Sequence, residues 1–157
     1  MKIKYAEIKN PVEVDKLRFM KFVYDNSDSF IMNTFGYVWS GRDWWDKFPV
    51  EVITDEKGKV MCLHAYSIND YKPETMKTYY IITERKCRGE GLAKLLIKNS
   101  IAKNKDKIKN YYVNTDVKSP GYTFFKKWLG NKFTIEKNDF NSKDAIFEEP
   151  IYNLINE

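Results

Sequence analysis

Residues 76–102 read MKTYYIITERKCRGEGLAKLLIKNSIA, and the order of their parts decides the fold. Met76 to Thr83 is aromatic and β-branched, which predicts a buried strand. Gly91 to Ala102 is rich in helix formers, with Leu92, Leu95, Leu96 and Asn99 on adjacent turns and Lys94 and Lys98 one turn apart. Between strand and helix stands Arg88-Gly89-Glu90-Gly91-Leu92-Ala93. Glycine lets backbone N–H groups approach a ligand without a Cβ in the way, and the N–H groups at a helix start favour an anion. The stretch is therefore a candidate phosphate cradle, with Arg88 either a charge-assisted donor or engaged in packing or a surface pair. The same glycines would also serve a plain turn.

Two common phosphate loops are excluded. No Gly-Lys-Ser/Thr follows four intervening residues, and Lys94 stands where a dinucleotide fingerprint needs glycine.

Working outward, residues 2–8 alternate with period two and predict a strand closed by Asn10-Pro11. Val12 to about Tyr24 carries a helical face, stopped by Asp25-Asn26-Ser27. Ser29 to Phe48 opens helix-like, then passes Gly36, Gly41 and the aromatics Trp39, Trp44 and Trp45. Val50 to Thr54 and Lys59 to Ile68, joined by Asp55-Glu56-Lys57-Gly58, predict a hairpin. Beyond the central helix come a strand over 111–117 and a helix from Ser119-Pro120 to Leu129, stopped by Gly130. Lys132 to Lys137 and Ala145 to Ile155 predict two last, antiparallel strands. With 157 residues and no repeat or long linker, residues 1–157 read as one domain.

Aromatic content of 16% argues against disorder. No apolar run approaches the roughly 18 residues of a membrane span, and the N-terminus has no apolar block. A soluble cytoplasmic protein, with no membrane partner, is the expectation. Cys62 and Cys87 lie far apart and His64 is the one histidine, so metal-ligand spacing is absent and no metal is expected. His64 sits in an alternating apolar stretch and reads as a structural histidine. Residues 1–80 are neutral, whereas 85–137 carry fourteen basic against four acidic side chains, a local +10. That excess suits a polyanion, either a phosphorylated cofactor or nucleic acid, or merely solvates exposed faces.

The Arg88 to Ala93 segment, followed by Lys-Leu-Leu-Ile, resembles the R/Q-x-x-G-x-G/A signature of the GCN5-related N-acetyltransferases, and the predicted element order resembles that fold over nearly the whole chain. The resemblance implies an α+β fold: a central mixed, mostly antiparallel twisted sheet of about six to seven strands flanked by about four helices. It implies acetyl-CoA as co-substrate, its pyrophosphate on the backbone N–H groups of Arg88, Gly89, Glu90, Gly91, Leu92 and Ala93. Its pantetheine arm would lie along Ile82 and Thr83. Acetyl transfer would then pass directly to a primary amine, with Cys87 a bystander.

A second family motif, N-x-x-A-x-x-x-Y, matches less well, because Lys118, Gly121 and Phe125 replace Asn, Ala and the Tyr that acts as general acid there. Tyr122, three residues earlier, shares a helix face with Phe125 and is the substitute candidate. For a general base, Asp116 and, less favourably placed, Glu84 lie at strand ends; a pair with Arg85 or Lys86 is the competing role for Glu84. Trp39 and Arg42, with Tyr37, Trp44 and Trp45, fall where this fold shapes the acceptor site. Three functions follow: N-acetylation of a primary amine, acyl transfer to a nucleic-acid amine, or a CoA-binding module that has lost its acid.

Overall fold

The computed structural model describes residues 3–8, 21–26, 49–139 and 141–155. In chain order these form β1 (Lys4–Ile8), a helical segment α1 (21–26), β2 (Val50–Thr54), β3 (Val60–Ile68) and β4 (Thr75–Thr83). A single 3₁₀ turn (Arg85–Cys87) leads to α2 (Leu92–Lys103), then β5 (Asn110–Asp116), α3 (Pro120–Leu129), β6 (Thr134–Lys137), β7 (Lys143–Pro150) and α4 (Tyr152–Ile155). The strands make one seven-stranded sheet in the order β1-β2-β3-β4-β5-β7-β6. Every neighbouring pair is antiparallel except β4 and β5. This is the mixed, mostly antiparallel sheet expected from the sequence.

Local chemistry sets the corners. Asp55 Oδ1 accepts from the N–H of Lys57 and of Lys59, at 2.9 Å each, while Gly58 takes φ +83°, so β2 folds back onto β3 as a tight hairpin. A parallel pair cannot be joined by a hairpin, and α2 is the crossover that carries the chain from β4 to β5. Ile97 and Ile101 of α2 and Phe125 of α3 share one buried cluster with Tyr111, Val113, Ala145 and Phe147 of the sheet. Each fully buried Ile or Phe there contributes about 1.5–3 kcal/mol of burial free energy.

The structure differs from the sequence reading in three places. The expected strand over Ala145 to Ile155 runs instead from Lys143 to Pro150, and α4 follows. Ile151 and Leu154, three apart, both enter the core from one side of that helical turn, a spacing that alternation cannot supply. β6 begins at Thr134 rather than Lys132, because Phe133 packs inward against Phe147 and Tyr122. The first helix continues through Asn26 instead of stopping before it; Asn26 Nδ2 donates to the Phe22 carbonyl at 2.9 Å. The rest of the stretch expected as helix, from Val12 on, and Ser29 to Phe48 lie outside the described residues. No helix among the described residues is long and apolar enough to cross a membrane.

Candidate active site

β4 and β5 pair only over Thr75–Thr78 against Asn110–Val113. Beyond that point β4 continues to Thr83 against β3, and β5 to Asp116 against β7. The strands part where β4 carries a bulge: Ala65 faces Tyr80 and Tyr66 faces Thr78, so Tyr79 is the extra residue. A cleft of about 870 Å³ opens between the diverging ends, floored by both strands and walled by the starts of α2 and α3. Past Thr78 the backbone edge of β4 borders this cleft instead of a strand, which suits a ligand that pairs with main-chain groups.

At one mouth lies the glycine turn. Gly89 and Gly91 adopt φ +85° and +79°, and a Cβ built on either meets nothing within 4 Å. Both glycines are thus required by backbone conformation, and the space around them is open. Gly91 occupies the N-cap of α2, where no side chain caps the helix. The first amides of α2 are therefore left without a side-chain partner, a helix start of the kind that suits an anion. Arg88 braces the turn: its Nε donates to the Thr83 carbonyl at 3.1 Å and its guanidinium also donates to the Asn26 carbonyl. Asn26 Oδ1 in turn accepts from the Arg85 N–H at 3.0 Å, so the end of α1 latches the turn. Sequence reading treated Asn26 only as a helix stop. Of the eight residues expected at the cofactor, Ile82, Thr83, Arg88, Gly89, Gly91, Leu92 and Ala93 line the cleft, and Glu90 is exposed outside it. Arg85, Lys94 and Lys127 line it too, and Lys94 Nζ lies 5.9 Å from the Trp128 ring across the mouth.

At the apex a buried polar chain pins the point of divergence. Ser100 Oγ donates to the Leu96 carbonyl at 3.1 Å, so at 3.0 Å it accepts from His64 Nδ1, which carries the proton. His64 Nε2 is then the acceptor, and Thr78 Oγ1 donates to it at 2.7 Å while accepting from the Tyr111 hydroxyl at 2.6 Å. The chain is directed and fully satisfied. Burial holds the His64 imidazole neutral, its pKa pushed down to about 3. His64 is structural, as expected, yet it anchors Thr78, the last β4 residue paired with β5.

The opposite wall is the β5–α3 turn. Asp116 is buried there, its Oδ1 accepting from the Lys118 N–H at 2.7 Å and from Ser142 Oγ at 3.2 Å, its Oδ2 from Asn138 Nδ2 at 2.8 Å. The other hydrogen of the Asn138 amide goes to Asp144 Oδ1 at 2.8 Å, and Asn114 donates to Asp144 Oδ2 at 2.9 Å. Both carboxylates line the cleft, but Asp116 is closed in by the turn whereas Asp144, its cross-strand neighbour, is partly exposed. No sequence pattern marked Asp144, because only the β5–β7 register brings it opposite Asp116.

Tyr122 lies off the cleft lining, its ring edge-on to Phe133 at 5.6 Å with Lys126 Nζ 5.6 Å above it. Phe125 lines the cleft and is buried. Glu84 does not line it and pairs with Lys59 at 3.0 Å rather than with Arg85 or Lys86; this bond holds its carboxyl below the usual range. The Cys87 thiol is pushed up by burial and by its hydrogen bond to Glu84, which keeps it protonated. Trp39 and Arg42 lie outside the described residues. No cluster of metal-ligating side chains occurs among the described residues.

No family model matches the sequence, and no curated protein does. Solved structures do. An acetyltransferase of the GNAT family from Desulfovibrio desulfuricans is similar at TM-score 0.71 and 11% identity, over 94% of this chain and 99% of that one. A GNAT family acetyltransferase from Elizabethkingia anophelis, with acetyl-CoA bound, matches at TM-score 0.63 and 16% identity, over 94% and 97%. The ribosomal-protein-S18-alanine N-acetyltransferase from Escherichia coli matches at 0.65 and 15%, over 94% of each chain. The fold is that of the GCN5-related N-acetyltransferases.

Proposed function

We propose that this protein is an N-acetyltransferase that passes an acetyl group directly from acetyl-CoA to a primary amine. One observation carries the reading: where β4 and β5 part, a cleft runs from an uncapped helix start, reached through two left-handed glycines, to a rigid apex. A diphosphate fits the open space at Gly89 and Gly91, and an amide-bearing arm fits the free edge of β4 at Ile82 and Thr83. Arg88 braces the turn, and Arg85, Lys94 and Lys127 add positive potential around the mouth.

For the amine to attack, it must lose a proton. Asp144 is the carboxylate placed to take it, directly or through one water, while Asp116 is committed to holding the turn. A departing thiolate, whose conjugate thiol has a pKa of about 8.5, needs little help from an acid near neutral pH. The position of Phe125 therefore does not forbid turnover. It does favour, as the second reading, a module that binds CoA without turning it over.

The test is calorimetry of the native chain and an Arg88→Ala, Gly89→Pro variant with acetyl-CoA, followed by an amine panel. Proline cannot take φ +85° and has no N–H to donate. Binding by the native chain, lost in a variant that still folds, followed by thiol release with an amine, supports the enzyme. Binding with no release on any amine selects the second reading, and no binding by the native chain removes both.

A further inference from the structure

We infer that Lys77 is itself an acyl acceptor, so that the protein acetylates its own β4 strand at the apex of the cleft. The inference rests on the cofactor reading above and adds a modification site to it. Lys77 lies opposite Tyr112 of β5, one residue before the pairing of β4 and β5 ends, and is among the residues that line the cleft. Its Nζ stands 4.4 Å from the Tyr71 ring centre, 4.9 Å from Tyr79 and 5.6 Å from Tyr112. The Tyr71 and Tyr112 rings pack tilted with centroids 4.5 Å apart, and their hydroxyls are bonded at 3.2 Å, so two walls of this box are tied together. Lys77 makes no hydrogen bond or ion pair with a described residue. Lys72, by contrast, is paired with Glu148 at 3.4 Å.

Position supplies the reactivity. At about 3.3 Å per residue, β4 runs roughly 13 Å from Thr83, beside the glycine turn, to Tyr79. An arm laid along that edge from the turn thus ends near the bulge, where the Tyr79 ring touches the Lys77 ammonium. A nucleophile fixed beside a bound electrophile gains a large effective concentration over one in solution. The groups facing Lys77 act in both directions. Burial lowers its pKa, Asp144 and Asp70 raise it, and the three ring faces favour the charged form. The net direction is downward, which enlarges the fraction of free amine.

In the step, the neutral Nζ attacks the thioester carbonyl carbon. The C–N bond forms as the C–S bond breaks, sulfur leaves with the bonding pair, and the proton lost by nitrogen ends on the thiol. The products are free CoA and Nε-acetyl-Lys77, with no redox change. The acetylated side chain is neutral and longer, so it fills the apex and slows transfer to outside amines.

The full chain is incubated with acetyl-CoA and no acceptor, between about pH 7 and 9, and mapped by peptide mass spectrometry. Lys77 is expected to be acetylated at least about tenfold faster than Lys72, at a rate rising with pH. Lys77→Arg should lose this mark while still binding acetyl-CoA, Lys72→Arg should keep it, and Gly89→Pro should reduce it to the level of surface lysines. Acetyl-CoA binding without preferential acetylation of Lys77, or preference that survives in Gly89→Pro, overturns the inference alone. Absence of acetyl-CoA binding overturns it together with the proposed function.

Discussion

Two helices begin on the cleft, and they begin in opposite ways. α3 closes on itself: Ser119 Oγ accepts from the Gly121 N–H at 3.0 Å, Pro120 removes one donor, and Asp116 takes the Lys118 N–H. α2 has glycine at its N-cap and no side chain over its first amides. Both starts are sound local solutions to the same problem, four orphan donors per helix. One solves it within the chain. The other leaves its first amides uncapped, and the turn before it is held by the side chains of Arg88, within the turn, and Asn26, at the end of α1. On the proposed function, the ligand takes the one of the two termini that the sequence declines to cap.

The largest effect should come from breaking the open start. Gly89→Pro is expected to weaken acetyl-CoA binding by about a hundredfold or more, the loss of two charge-assisted hydrogen bonds at about 1.5 kcal/mol each. Ser119→Ala, at the closed start, should cost about 1 kcal/mol of stability and change the affinity less than about threefold. Calorimetry and urea melts on the two variants separate the roles; equal losses of affinity would mean that both starts hold ligand.

The two carboxylates sharpen the same contrast one step deeper. Asp144→Asn should lower kcat by about 10²–10⁴-fold with the melt little changed, once an acceptor amine is in hand. Asp116→Asn should instead destabilise the chain by about 1–3 kcal/mol, because the hydrogen bonds to Lys118, Ser142 and Asn138 lose their charged acceptor. Steady-state rates at saturating acetyl-CoA decide it, and a larger kcat loss in the Asp116 variant would restore Asp116 as the base.

Much of this fold was legible because its signals are local. Val50–Thr54 and Pro120–Leu129 fall where the sequence placed them, since a hairpin corner at Asp55 and a Ser-Pro cap announce themselves within a few residues. The glycine turn was legible for the same reason. What escaped notice depends on register. Asp144 joins the cleft only because β7 pairs residue for residue with β5, and Lys77 meets Tyr71 and Tyr112 only across strands and a loop. At Arg88 residue type left two roles open, a donor to phosphate or a packing contact, and only the fold shows that two of its donors reach carbonyls of the chain.

Between the two helix starts, the His64 chain holds the apex, and its contribution has a definite sign in pH. The folded pKa of about 3 lies below the usual 6.5, so the unfolded state binds a proton first as pH falls. The stabilisation is complete above about pH 6.5 and is lost toward pH 3, by at most about 1.4 kcal/mol for each unit. Urea melts at several pH values should show His64→Gln with a shallower decline than the native chain over that window; parallel declines would mean that other groups set the acid limit.

The closed start can be probed once more at Gly121, which stands where the motif quoted for the resemblance has alanine. Its φ is not left-handed, so backbone freedom does not explain the residue. Crowding does: a Cβ at that site would stand 2.9 Å from Thr115 Oγ1 and 3.2 Å from Ser119 Oγ. Thr115 is itself within 3.3 Å of the capping Ser119 hydroxyl, so relief by rotation would disturb the cap. Gly121→Ala should therefore cost about 1–3 kcal/mol on its own. Pairing it with Thr115→Ala should recover most of that loss, since the double variant removes the atom in the way. If the two changes simply add, the contact is not the cause and the glycine must be explained by its place on the cleft wall.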